Sequence, residues 1–205
     1  MLKKKTAVII DWDNVRKGLF EAATKKDKEL KVNYFESNTL KKLVESFIDE
    51  DEELFRTFLY LTKPYYPEKK VLSRFNESLR AKSQKVAENQ KNFIKNIGIC
   101  EFVAIRQGKL KFRGMDQKGN PIFVQKQVDM LMGLDIAHLS YNRLVERILF
   151  FCGDSDLIPA LKIARKNGIQ VVLAYCPDIY EINLDELKLH SDIIRVKKFK
   201  EIFEL

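Results

Sequence analysis

Four apolar residues, Ala7 to Ile10, follow one another without polar alternation and run straight into Asp11, with Asp13 and Asn14 just behind. A short, β-branched run of this kind predicts a strand buried on both faces, as in the middle of a parallel sheet. The pattern then changes period. Val15 to about Thr24 is helical in composition, and Lys25 to Asn33 is a charged connection. Leu40, Leu43, Val44 and Phe47 recur at helical spacing over 38–48, with Asn38 placed as N-cap. LFRTFLYL (54–61) predicts a second strand. A long polar stretch, 67–95, carries sparse apolar positions (Val71, Phe75, Leu79, Val86, Phe93) and predicts one or two amphipathic helices. CEFVAI (100–105) predicts a third strand. A hairpin follows over 108–124, turning at Asp116–Asn120, with Leu110 and Phe112 set opposite Ile122 and Val124.

Helical spacing returns over 125–140, where Val128, Leu131, Met132, Asp135 and Leu139 share a face. RILFFC (147–152) predicts another doubly buried strand, with Ser155 capping a helix closed by Asn167-Gly168. QVVLAY (170–175), a short helix near 184–189 and a last strand over 192–196 complete the order. Strands alternating with helices predict an α/β fold: a three-layer α/β/α sandwich on a mostly parallel sheet. We expect a single domain over 1–205, with a basic helical segment (67–95) and a β-hairpin (108–124) as insertions.

Composition narrows the function classes. With 45% hydrophobic and 32% charged residues the chain is globular, not disordered. No apolar run approaches the roughly 18 residues of a membrane span, and no signal peptide precedes the first strand. Cys100, Cys152 and Cys176 are widely spaced and expected as buried free thiols of a reducing compartment. The protein is therefore expected to be cytoplasmic, without membrane contact. The net charge of +8 is uneven: residues 63–126 carry fifteen Lys or Arg against five Asp or Glu, a balance of +10, which leaves −2 elsewhere. Tyr65, Tyr66, Phe75, Phe93, Phe102, Phe112 and Phe123 are interleaved there, although each aromatic alone is as well explained by packing. Basic residues with aromatics suit a phosphate backbone and its bases, so nucleic acid is the expected partner. Lys109, Lys111, Arg113 and Lys126 are the candidate phosphate contacts. A homodimer is left open.

Acidic residues stand where an α/β sheet does chemistry, outside the carboxyl ends of its strands. Asp11 follows the first strand, Asp154 and Asp156 follow the Phe150-Phe151 strand, and Asp129 lies early in a helix. Asp11 or Asp13 could equally cap the next helix. Clustered carboxylates repel unless a cation lies among them. Mg²⁺ or Mn²⁺ is the natural ion, able to activate water and stabilise the oxygens of a phosphodiester displacement. His138 and His190 are isolated, and Ser155 has no neighbouring base.

The ordered set Val8-Ile9-Ile10-Asp11-x-x-Asn14, Lys126-x-Val128-Asp129 with Asp135 six residues on, and Gly153-Asp154-Ser155-Asp156 resembles the NYN domain. That is the LabA-like branch of the PIN-like ribonuclease fold, also catalogued as DUF88. The resemblance spans Lys5 to about Val196 and implies a metal-dependent nuclease acting on RNA. It implies Asp11, Asp129 and Asp154 as metal ligands, Asn14 as an orienting residue and Asp156 at the edge of the site. Asp135 lies about 120° round the helix from Asp129, so a buried hydrogen-bonding role is expected for it. Two alternatives stand beside this reading. IIDWDNV also resembles the first motif of haloacid dehalogenase-type phosphatases, with Asp11 as nucleophile and Thr62 as a second motif. The late acidic pair is wrongly spaced for that family, because Ile158 stands where an acid would be wanted. The other alternative is a non-catalytic RNA-binding module on the same fold.

Overall fold

A computed structural model describes residues 2–25, 32–151, 153–179 and 185–203. The Ala7–Ile10 run becomes the middle of β1 (Lys4–Asp11), a strand buried on both sides. Its side chains divide alternately: Val8 and Ile10 enter one apolar core, Ala7 and Ile9 the other. This explains the absence of polar alternation, since neither face of the strand meets water. Six further strands complete the sheet: β2 (Glu52–Thr62), β3 (Val103–Met115), β4 (Pro121–Lys126), β5 (Arg147–Phe151), β6 (Gln170–Tyr175) and β7 (Ile193–Val196). Their order is β4-β3-β2-β1-β5-β6-β7, parallel throughout except for β4, which pairs antiparallel with β3 at the edge.

Helices cover both faces. Against the Val8 and Ile10 side pack α1 (Trp12–Lys25), α2 (Ser37–Phe47), α4 (Glu77–Ile97) and α8 (Phe199–Phe203), the last unforeseen in the sequence. Against the Ala7 and Ile9 side pack α5 (Val128–Tyr141), α6 (Ile158–Lys166) and α7 (Asp185–Leu189). A one-turn helix, α3 (Lys69–Leu72), precedes α4, so the polar stretch forms two helices as expected. The α/β/α sandwich on a mostly parallel sheet is thus the architecture. Among the described residues, no helix is long and apolar enough to cross a membrane.

Several local expectations are corrected. Residues 103–115 form one strand that runs on into the hairpin, where two separate strands were predicted. Leu110 and Phe112 lie opposite Gln125 and Phe123, not Val124 and Ile122, and a bulge between Phe112 and Gly114 shifts the register again toward the turn. Gly114 sits there at φ 150, open to glycine and strained for other residues. Gln125 belongs to β4, so α5 starts three residues later than the helical spacing suggested. Asn38 lies inside α2, whose N-cap is Glu36 with no side-chain cap bond. Ser155 opens a 3₁₀ turn, Ser155–Leu157, and the capping side chain is that of Asp154. The Asn167-Gly168 stop is as predicted, with Gly168 at φ 81. Cys176 is buried and Cys100 half-buried, whereas Cys152, the connection at 26–31 and Leu184 lie outside the described residues.

Candidate metal and phosphodiester site

Counted without the antiparallel edge, the strand order is the doubly wound 3-2-1-4-5-6, whose direction reverses between β1 and β5. A crevice opens at such a switch point, outside the strands' carboxyl ends. Ile10 and Phe151 pair there, one residue before Asp11 and three before Asp154.

Asp11 closes β1 and is only 5% exposed. One oxygen does what a capping aspartate does: Oδ1 accepts the Asn14 N–H at 3.2 Å in the first turn of α1. The capping reading of Asp11 is thus observed, and the cap does not use the second oxygen. Burial pushes the Asp11 carboxyl up from 3.8 to about 7; the Asn14 N–H works against this, while the charges of Asp13 and Asp129 add to it. The Gln125 amide also approaches this carboxyl and lowers it slightly. Gln125 Nε2 is buried beside the acid with no hydrogen bond of good geometry.

Asp129 is the second residue of α5 and is exposed. Its carboxyl is raised first by its own partial burial, then by the charges of Asp154 and Asp156. Asp129 is thus the middle of an electrostatic chain that joins Asp11 on one side to the Asp154 and Asp156 pair on the other. Two backbone features set its position. Gly108 of β3 passes so close under the start of α5 that an added Cβ would lie 2.5 Å from Val128 Cγ2. Gln127, between strand and helix, takes φ 77, a left-handed conformation that costs a non-glycine residue about 1 kcal/mol or more. Asp154 caps the 3₁₀ turn through Oδ1, which accepts the Asp156 N–H at 2.9 Å.

The other acidic residues have structural partners. Asp13 Oδ2 accepts both the N–H and the Oγ1 hydroxyl of Thr62, each at 2.8 Å, and Oδ1 meets Arg16 at 3.3 Å. These bonds tie the end of β1 to the end of β2. They occupy the two residues a phosphatase of the haloacid dehalogenase type would need free. Asp135 accepts from Tyr60 Oη at 2.7 Å and Arg106 Nε at 2.8 Å, the hydrogen-bonding role expected of it. Burial, and then the Asp135 charge, push the Tyr60 hydroxyl up, so it remains a donor.

A second acidic group lies at the opposite end of the sheet. Asp49, Asp51 and Glu52 have carboxylate oxygens within 4.8 Å of one another, the one such trio among the described residues. Glu52 pairs in register with Lys4, seven residues before Asp11, or about 23 Å along the strand. This group is already neutralised. Glu52 meets Arg147 at 2.8 Å and Arg195 at 2.6 Å, Asp49 meets Arg195 at 2.8 Å, and Asp51 meets Arg147 and Lys4 at 3.3 Å. Burial raises the Glu52 carboxyl, but bonds from Arg195, the Asp49 N–H and Arg147 outweigh it and hold it below its ordinary value. Three cations facing three carboxylates leave little attraction for a fourth, so this is a structural network.

The hairpin extends past the carboxyl edge, because Gly108 pairs with Thr62, the last residue of β2. Lys109, Lys111 and Arg113 alternate along β3 and are all exposed, with Lys126 directly opposite Lys109. Like charges facing each other across strands cost stability. The aromatics predicted nearby mostly pack. Phe93 stacks on Trp12 at 5.4 Å in the core, and Phe112 lies edge-on to Phe75 and Phe123 at 5.8 and 5.9 Å. Gln125 was missed as a site residue because its neighbours read as a helix start. The alternation of Phe123 and Gln125 with Ile122 and Val124 was the available signal.

A family model described as the NYN domain matches residues 5–187. No curated protein and no solved structure matches the chain. The ordered motifs, the doubly wound sheet and this match over most of the length agree: the chain belongs to the NYN domain family of PIN-like nucleases.

Proposed function

We propose that this protein is a metal-dependent ribonuclease whose centre is formed by Asp11, Asp129 and Asp154 at the β1–β5 switch point. The observation that carries the reading is the electrostatic chain linking Asp11 to Asp129, and Asp129 to Asp154 and Asp156. Burial and neighbouring carboxylates raise Asp11 and Asp129, and a hard cation relieves that repulsion. The donor set fits: oxygen ligands only, one of them buried, with no competing thiol or imidazole in the chain of charges. Oxygen donors suit Mg²⁺ or Mn²⁺, Mg²⁺ being an ion that keeps several waters and takes one or two carboxylates directly.

Asp11, Asp129 and Asp154 would hold the cation. Bound there, it supplies Lewis-acid activation of water and offsets charge on the phosphodiester oxygens. The chain's own groups do the rest. The Asn14 N–H holds Asp11 Oδ1 in place, so the buried carboxylate presents its other oxygen to the crevice. Asp156, exposed at the rim, is poised to accept the proton of the attacking water. The Gln125 amide, beside Asp11, helps to orient that carboxyl. Lys109, Lys111, Arg113 and Lys126 hold the neighbouring phosphates. Water oxygen bonds to phosphorus, the P–O3′ bond breaks and the departing oxygen takes up a proton, which leaves 5′-phosphate and 3′-hydroxyl ends.

The test is cleavage of a labelled single-stranded RNA in Mg²⁺ and in Mn²⁺. Asp11→Asn and Asp154→Asn should each abolish it while retaining the wild-type circular dichroism spectrum. Undiminished cleavage by both purified variants refutes the proposal. Salt-sensitive RNA binding by the wild type with no turnover in any divalent ion would instead favour a binding module.

A further inference from the structure

A cleft of 310 Å³ lies between α4 and the hairpin, in the insertions that flank the proposed centre. Its walls are Tyr65, Phe75 and Phe123 on one side and Leu79, Val86 and Ala87 on the other, with Lys82 and Ser83 also lining it. The aromatic wall is braced, since Tyr65 packs edge-on to Phe123 at 5.1 Å and Phe112 bridges Phe123 to Phe75. Its floor joins the carboxyl edge of the sheet. Gln90, which lines the cleft, donates to the Thr62 carbonyl at 2.6 Å, and Thr62 in turn holds Asp13. The volume falls within the range of small-ligand pockets.

We infer that this cleft is a nucleobase subsite, which receives one base of an RNA strand whose phosphates follow the surrounding cations. The occupant follows from shape and charge together. A base offers flat apolar faces to the aromatic and aliphatic walls and polar edges to Ser83 and Asn120, while its attached phosphate meets Lys82. The wall element is itself strongly cationic: residues 69–95 carry eight Lys or Arg against two Glu. A neutral lipid or apolar peptide has no use for that charge, whereas every nucleotide does. The subsite rests on the ribonuclease reading and adds to it a reason for the insertions: they grip one base at a fixed distance from the acidic centre.

Ser83 is half-buried and lines the cleft, so Ser83→Trp fills it. Binding is measured by anisotropy, with a single-stranded RNA decamer, its abasic counterpart, and a decamer bearing one 2-aminopurine. The wild type should prefer the base-containing strand about tenfold and quench the 2-aminopurine by stacking. Ser83→Trp should lose both the preference and the quenching while its salt dependence stays unchanged. Lys82→Gln, an exposed substitution, should reduce the slope of log affinity against log salt by about 0.7. Equal binding of base-containing and abasic strands by the wild type, or wild-type affinity and quenching in Ser83→Trp, overturns the subsite. Failure of the wild type to bind RNA at all overturns the ribonuclease reading with it.

Discussion

Replacing Asp11 by Asn should stabilise the metal-free protein at alkaline pH even as it removes the proposed activity. A carboxyl carried from 3.8 when unfolded to about 7 when folded favours its protonated form in the native state. Between about pH 4 and pH 7 the folded protein keeps a proton that the unfolded chain has released, so this group lowers stability progressively across the window. Below pH 4 the penalty vanishes; above pH 7 it is complete. At about 1.4 kcal/mol per pH unit the ceiling is about 4 kcal/mol. Local relaxation on ionisation reduces this, and about 2 kcal/mol is expected, or roughly 4–8 °C in Tm for a chain of this size. Asn keeps an oxygen for the Asn14 N–H, so the cap survives the substitution. The assay is thermal unfolding of both proteins in EDTA from pH 4 to pH 8. The variant's advantage should grow from near zero at pH 4 to its full value by pH 8. Adding Mg²⁺ should raise the wild-type Tm at pH 8 and leave the variant unmoved. An offset independent of pH, or a variant less stable throughout, refutes the account of Asp11 as a buried acid held for a cation.

Three other outcomes follow from the same geometry. Glu52→Gln leaves Arg147 and Arg195 short of a buried partner and should cost about 3 kcal/mol in urea unfolding, yet leave metal-dependent cleavage per folded molecule unchanged. Gln127→Gly relieves the left-handed φ and should stabilise the fold by about 1 kcal/mol, read from the urea midpoint, at some loss of activity as Asp129 gains freedom. Neutralising Lys109, Lys111 and Arg113 together should flatten the salt dependence of RNA binding by about 2 in slope; an unchanged slope removes the hairpin from the interface.

Much of this was legible in the residues because local chemistry and global position coincide. The apolar run before Asp11 could be buried on both faces only in the middle of a parallel sheet, and that placed the carboxylate at a strand end. Asp135, on the inner flank of α5, was readable as a hydrogen-bonding group from helical geometry alone. The hairpin register was not: the pairing at Leu110 and Phe112 differs by one residue from the expected one, and a bulge at Gly114 shifts it again without altering the alternation of residue types. The Arg147 and Arg195 network with Glu52 was equally hidden: its members are 95 and 143 residues apart, and only the folded sheet brings their charges together. Gln125 escaped notice because an amide reads as neutral in helix and strand alike, and its meaning lies in the acid it faces.

Anomalous diffraction from crystals soaked in Mn²⁺ tests the central claim most directly. The account predicts a peak at the β1–β5 switch point, ligated by carboxylates from among Asp11, Asp129 and Asp154 and absent from Asp11→Asn. A peak at Asp49, Asp51 and Glu52 instead, or none at saturating Mn²⁺, would contradict it.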